Sequence, residues 1–407
     1  MNWRMRSLFP ASVVLSAILS FFLVLPSQSA DTVRIAVIHT NDVHGWLYAR
    51  PAGPDRPRPD RMIGGYAALS NLVKREKLPK LLLDAGDWFL GTPEAYISKG
   101  QASIDCMNAL GYDAVELGNH EYDFGQAQLE RLAGALKMPV LGSNVHLGDG
   151  PDRPRYVTPF LIKEVAGVKV GIFGLATRTV GARSFEDNVR GLRFRREADE
   201  ARDMVRQLRA QGATVIIAVS HIGFLEPGFP VFEDDKFLAG EVPGIDLIVG
   251  GHTHTRLSPA VRDPRNGTLI TQAGVNLTQA GRAELEIDRA TGKVVRSTDA
   301  LVDLWVDELG EDPAILTLVR RYQDEAERAM SVAVATAAEA LSHARSGPEP
   351  VGDWMADCER DWGHTDLAFQ NRSGIRAGIP AGPVTLRRIY EAMPYDNHMA
   401  TLTLTGA

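Results

Sequence analysis

Between residues 33 and 300, short runs of Val, Ile and Leu recur, each followed by a polar or glycine-rich loop and then by a stretch whose apolar positions have helical spacing. The runs at 33–38, 80–84, 113–117, 139–143, 168–175, 214–219, 245–249 and 268–273 predict strands, with helices at Tyr66–Glu76, Ala102–Leu110, Gln126–Leu136 and Ala198–Ala210 between them. Such alternation predicts a layered α/β domain over 31–300. The stretch Arg50–Arg61, dense in proline and charge, predicts a surface loop. Leu285–Asp288, a turn through Gly292, and Val294-Val295 predict a hairpin.

Asp312-Pro313 then supplies an N-cap and a first-turn proline, and Ile315, Val319, Tyr322 and Ala326 fall on one face of the helix that follows. This helix lies in a connector, 301–345, leading to a second domain over 346–407. That domain has only about sixty residues, which is marginal for an independent core.

The first residues differ in kind. Arg4 and Arg6 precede the apolar stretch Leu8–Leu25, and Ser27 and Ser29 place small residues before a cut after position 29. Residues 1–29 therefore read as a secretory signal peptide, the alternative being an uncleaved anchor helix. No other segment is apolar enough to span a membrane, so the mature chain is expected to be secreted or periplasmic.

Of the 407 residues, 44% are hydrophobic and 23% charged, the balance of a globular protein rather than a disordered one. Losing residues 1–29 removes two arginines and no acid, taking the net charge from -7 to -9. An acidic chain is a poor nucleic-acid binder through general electrostatics, and an anionic substrate would need a local positive centre such as a metal. Cys106 and Cys358, far apart in helical contexts, read as buried free thiols.

The polar residues that directly follow the strand runs carry the chemistry. They are Asp42 and His44; Asp87; Asn119, His120 and, just beyond, Asp123; His221; and His252 with His254. In an open α/β sheet, ligand sites gather outside the carboxyl ends of the strands, so all five loops are expected on one rim. Asp, Asn and His without Cys suit Mn, Fe, Zn or Co rather than a thiolate site. Asp42, His44, Asp87, Asn119, His221, His252 and His254 are too many ligands for one tetrahedral ion and suit two divalent ions sharing a carboxylate, a clamp used in phosphoryl displacement. Each piece alone is a common turn or capping device; their joint placement at strand ends is what points to a site.

The series IHTNDVHG, AGDW, GNHEYDFG, SHIG and GGHTHT resembles the metallophosphatase domain of the secreted bacterial 5′-nucleotidase family, which includes UDP-sugar hydrolases and 2′,3′-cyclic-nucleotide phosphodiesterases. Gly64-Gly65, the run Val165–Gly171 and the loop Asn371–Arg376 extend the likeness through most of the chain. The resemblance implies a four-layer αββα sandwich followed by a connector helix and a short, incomplete α+β C-terminal domain. It implies that Asp42, His44 and His254 hold one metal, that Asn119, His221 and His252 hold the other, and that Asp87 bridges them. It assigns His120 to charge on the transferring phosphoryl group, with Asp123 setting its tautomer.

The implied substrate is a small-molecule nucleotide, a nucleoside 5′-monophosphate first, with a 2′,3′-cyclic nucleotide or a UDP-sugar as alternatives. A relative that hydrolyses thiosulfate from a carrier protein fits the Asn371–Arg376 loop less well. In that loop Asn371, Gly374 and Arg376 match the family's substrate residues, whereas Arg372 and Ser373 stand where it has glycines. Tyr395 stands for the family's Phe, either against a nucleobase or in the domain core. The family continues past the point matching Thr401–Gly406, and Leu402 and Leu404 look like half of a strand. A non-catalytic binding protein or inactive fragment is the rival of another class. The sequence leaves the oligomeric state open.

Overall fold

The computed structural model describes residues 31–405, apart from 54–57, 226–232, 345–346 and 396. The signal-peptide reading of residues 1–29 lies outside the described residues.

Two six-stranded sheets form the N-terminal domain. In the first, Thr32–Thr40, Lys80–Asp84, Ala114–Glu116 and Val140–Leu141 run parallel, and the hairpin Gln279–Asp288/Val294–Asp303 adds two antiparallel strands beside Thr32–Thr40. In the second, Val168–Ala176, Val215–His221, Leu247–Gly250 and Leu269–Gln272 run parallel, with antiparallel edge strands Phe160–Val165 and Val261–Arg262.

Alternate side chains decide the layering, because successive residues of a strand point to opposite faces. Val33, Ile35, Val37, Leu81 and Leu83 of the first sheet pack against Val170, Ile172, Val215, Ile217 and Val219 of the second. Ile38, Leu82 and Val115 face outward against the helices Tyr66–Arg75, Gln101–Leu110 and Gln126–Ala135. On the far side, Phe173, Ile216, Ala218 and Ile248 are covered by Glu197–Ala210 and Asp235–Glu241. The result is helix, sheet, sheet, helix. The expectation of loops on the rim of one open sheet is therefore corrected: three leave the first sheet and two the second. Strands apolar on both faces carry no signal of which sheet they join, since pairing is a long-range choice.

The helix Pro313–Met330 begins where the sequence places it. Asp312 accepts from Ala314 N at 3.0 Å and from Ser70 Oγ at 2.6 Å, and Ile315, Val319, Tyr322 and Ala326 are buried along one face.

The C-terminal unit starts earlier than its expected boundary at 346. Ala333–Ala337, assigned by sequence to the connector, pairs antiparallel with Gly382–Thr385. This strand is mostly exposed and built largely of alanine, so it lacks the apolar alternation that would have marked it. Behind the pair, Val351, Met355, Ile375, Ile379, Val384 and Ala392 form a small core. Cys106 is buried, but Cys358, on the helix Pro350–Gly363, is exposed, which corrects its reading as a buried thiol. Residues 401–405 form no strand, and Leu402 and Leu404 are exposed.

Candidate metal centre

The candidate ligands leave from the carboxyl ends of parallel strands, three in one sheet and two in the other, and the two rims meet. His221, the last residue of its strand, donates from Nδ1 to the carbonyl of Ala85 in the other sheet's loop at 2.6 Å. The backbone N–H of His252 donates to both carboxylate oxygens of Asp42, at 3.0 and 3.1 Å.

The backbone at these loops is unusual. Asp42, His44, Asp87, His252 and His254 all adopt left-handed conformations, with φ from 49° to 77°. Non-glycine residues held there cost about 1–3 kcal/mol each and cluster at functional sites. Close approach also demands glycine next to the ligands: a Cβ on Gly118 would stand 2.1 Å from Asp87 Oδ1.

Three sets of donor atoms gather among the described residues, each within 4.8 Å of one another: Asp42, His44 and His254; Asp42, Asp87 and His221; and His44, Asp87 and His120. His44 Nε2 lies 3.1 Å from His254 Nε2 and 3.8 Å from Asp87 Oδ2. His221 Nε2 lies 3.1 Å from Asp87 Oδ2 and 3.9 Å from Asp42 Oδ1. The His252 ring lies 5.1 Å from that of His221, although His252 enters none of the three sets, and Asn119 Oδ1, in the loop next to His120, is buried without a hydrogen-bond partner.

These residues fit a pair of divalent cations on the chemistry of the donors. A carbonyl only accepts, so His221 carries a proton on Nδ1 toward Ala85, and His44 carries one on Nδ1 toward Leu90 O at 3.1 Å. Their Nε2 lone pairs are thereby free to point inward, the tautomer that a metal-binding histidine needs. Burial holds His44 well below the usual imidazole range, so it is neutral. His221 is also lowered by burial, but Asp87 and Asp42 outweigh this and raise it to about 10. The two carboxylates thus call for positive charge at the spot where Nε2 points, which a proton or a cation can supply.

His120 sits beside this cluster, in a short turn over His120–Tyr122. Its Nδ1 donates to Asp123 Oδ2 at 2.5 Å, and its backbone N–H donates to Asp87 Oδ1 at 2.9 Å. Burial lowers it, yet Asp87 and Asp123 together raise it to about 9, which keeps the imidazolium form.

Two residues not singled out from sequence hold the loops together. Glu121, fully buried, accepts from Asp87 N at 3.0 Å, Gly118 N at 2.7 Å and Trp88 N at 2.8 Å, clamping the second loop to the third. Asn41 donates to Asp42 Oδ2 at 2.6 Å and to Gly274 O at 2.7 Å, and accepts from Ala273 N at 2.8 Å, so it aims the carboxylate. The only sequence signal for either was a polar side chain inside a motif whose neighbours already had roles. Of the histidines outside the candidate ligand set, His39 pairs with Asp299 at 3.2 Å, His146 with Glu200 at 3.1 Å and His343 with Glu349 at 2.8 Å, whereas the His398 ring stacks on Phe185.

The C-terminal unit closes over the centre. A cleft of about 1450 Å³ is lined by His44 and His254 on one side and by Arg372, Arg376 and Tyr395 on the other. The Tyr395 ring lies 5.9 Å from the His120 ring, nearly parallel to it, and its hydroxyl accepts from Arg376. Arg372 spends its donors on the carbonyls of Ala344 and Gly347, which makes it a brace for its own loop. Gly374 is buried and Asn371 exposed in the same loop.

Residues 35–256 match the family model described as calcineurin-like phosphoesterase, and residues 331–407 match the 5′-nucleotidase C-terminal domain. The trifunctional nucleotide phosphoesterase of Bacillus subtilis is 29% identical over 91% of this chain, which spans 27% of that protein. The snake venom 5′-nucleotidase of Naja atra is 28% identical, over 92% of this chain and 76% of its own length. Among solved structures, the 5′-nucleotidase precursor of Thermus thermophilus superposes with a TM-score of 0.77 at 28% identity, covering 89% of this chain and 74% of that one.

Proposed function

The chain belongs to the calcineurin-like phosphoesterase family and is a metal-dependent phosphoester hydrolase; from there we propose that its substrates are nucleoside 5′-monophosphates, cleaved to nucleoside and phosphate. The observation that carries this reading is the pair of donor clusters, Asp42–His44–His254 and Asp42–Asp87–His221, the first of which reaches through His44 and His254 a cleft also lined by Arg376 and Tyr395.

Asp42, His44 and His254 would hold one divalent cation, Asn119, His221 and His252 a second, with Asp87 between them. Mn, Zn, Co and Fe all suit such donors. Bound there, such cations would supply Lewis acidity toward phosphoryl oxygens and a water-derived nucleophile near neutral pH.

The remaining work falls to side chains of this protein. His120, charged and steadied by Asp123, donates from Nε2 to a phosphoryl oxygen on which negative charge develops. Arg376 offers guanidinium donors to the sugar edge of the nucleotide, and Tyr395 presents a ring face to the leaving group. The Arg4–Ser29 leader supports an extracytoplasmic setting, and no described helix is long and apolar enough to cross a membrane.

Phosphate release from AMP, 2′,3′-cyclic AMP and p-nitrophenyl phosphate, with Mn, Co, Zn or chelator, tests the proposal. Metal-dependent release from AMP above the other two is expected. Preference for the cyclic nucleotide moves the substrate class, and no release from any of the three overturns the reading.

A further inference from the structure

Glu94, a fully buried carboxylate, ties the N-terminal domain to the wall of the cleft. It lies on the short helix Pro93–Ile97, outside the candidate ligand set but packed on the loop that follows His44: Thr92 Oγ1 donates to Gly45 O at 2.7 Å, and a Cβ on Gly45 would stand 2.4 Å from that of Ala95. A carboxylate without water must find its counter-charge inside the protein. The closest such charge comes from the C-terminal unit, where Arg387 Nη1 and Nη2 both donate to Glu94 Oε1, at 3.0 and 2.5 Å, while Arg50 of the N-terminal domain stands farther off, 3.8 Å from Glu94 Oε2. Tyr48 donates its hydroxyl to the same oxygen at 3.2 Å and accepts from Arg50 Nη2, whose guanidinium stacks 4.1 Å over Trp46. Tyr48, Arg50 and Arg387 all face the cleft, and so does Trp46. Two further acidic groups stand near Arg387, the largely exposed Glu327 at 3.4 Å and Glu391 of its own helix at 3.9 Å; both are farther and more exposed than Glu94, so the buried pair dominates.

Arg387 lies in the first turn of the helix Leu386–Ala392, and the far end of that helix adjoins the substrate-facing residues. The backbone N–H of Arg376 donates to Ala392 O at 2.8 Å. Three residues beyond Ala392 comes Tyr395, whose ring lies against His120 and whose hydroxyl accepts from Arg376. The helix is thus pinned to the N-terminal domain at one end and presents Arg376 and Tyr395 to the metal centre at the other.

We propose that Glu94 is a positioning residue for substrate recognition: through Arg387 it sets where the Leu386–Ala392 helix holds Arg376 and Tyr395 over the metal centre. This inference rests on the nucleotidase reading for its kinetic consequence, but its structural consequence stands without turnover.

Two measurements test it on the full chain. In Glu94→Gln, KM for AMP should rise about tenfold, the loss of one charge-assisted hydrogen bond, with kcat, bound metal and KM for p-nitrophenyl phosphate close to the parent. In the same variant, amide hydrogen exchange should quicken over 372–376 and 386–392 and stay unchanged in the two large sheets. The double variant Glu94→Gln/Arg387→Gln removes both buried charges and should show the same KM shift as the single one, not a doubled shift. Unchanged exchange over 386–392 overturns the proposal, as does a rise in KM of equal size for both substrates. A parent protein that releases no phosphate from any substrate refutes the nucleotidase reading alone, and the exchange result then decides the positioning role.

Discussion

His44 and His254, 210 residues apart in sequence, point their Nε2 atoms at each other across 3.1 Å. Neutral His44 keeps its one ring proton on Nδ1, donating it in a hydrogen bond to Leu90 O, so its inward nitrogen is a bare lone pair. A histidine pair held this way in a buried setting is organised for a cation.

Asp87 touches both halves of the cluster, near His44 Nε2 and His221 Nε2. Asp87→Ala is expected to lose bound metal and turnover together. Elemental analysis of the purified variant beside a phosphate-release assay checks this; a variant keeping both would remove Asp87 from the bridging position.

His120 is aligned by Asp123 and sits next to the donors. His120→Ala should lower kcat about a hundredfold or more, the scale for removing one transition-state donor, while metal content stays at the parent level. Asp123→Asn should fall between the two. Normal kcat in His120→Ala would take it out of the mechanism.

Glu121 satisfies three buried backbone N–H groups of two ligand loops. Glu121→Ala leaves them unpaired, at about 1–3 kcal/mol for each buried donor. Chemical denaturation should show a loss of at least about 2 kcal/mol. A shift within error would mean that water replaces the carboxylate without penalty.

Asp312 caps the long helix, and hydrogen bonds from Lys74 and Ser70 hold its carboxyl down at about 2, below the ordinary 3.8. A depressed carboxyl stabilises the fold above its unfolded value and loses that contribution as pH falls from 3.8 toward 2. Asp312→Ala should cost about 1–2 kcal/mol at pH 7, the scale of a lost N-cap. The gap between variant and parent in urea denaturation should narrow at pH 3 and widen again at neutral pH; a constant gap would deny the linkage.

Arg376 lines the cleft opposite His44 and His254. Arg376→Ala should raise KM for AMP more than KM for p-nitrophenyl phosphate. Equal effects on the two would place its contribution on the phosphoryl group rather than on recognition of the nucleoside.

Much of this architecture is readable from local pattern. The helices Tyr66–Arg75, Gln101–Leu110, Gln126–Ala135 and Glu197–Ala210 lie within a residue of their expected bounds, because apolar spacing and end signals act over a few neighbours. The Asp312 cap is local for the same reason. Ala333–Ala337 carries no such signal, because an exposed strand of small residues has no apolar alternation, and it is held as a strand by its pairing with Gly382–Thr385.

The sequence by itself determined that strands end in Asp, Asn and His, and where the chain turns helical, since both follow from short-range preferences and residue chemistry. Tertiary structure alone decided that these ends belong to two sheets, that their rims meet, and that Glu121 and Asn41 lock the loops. It also decided which surface of the C-terminal unit faces the centre. The physical reason is distance along the chain. Contacts such as His221 to Ala85, 136 residues apart, cost closure entropy that only the packing of the shared core can offset, and no local pattern records that balance.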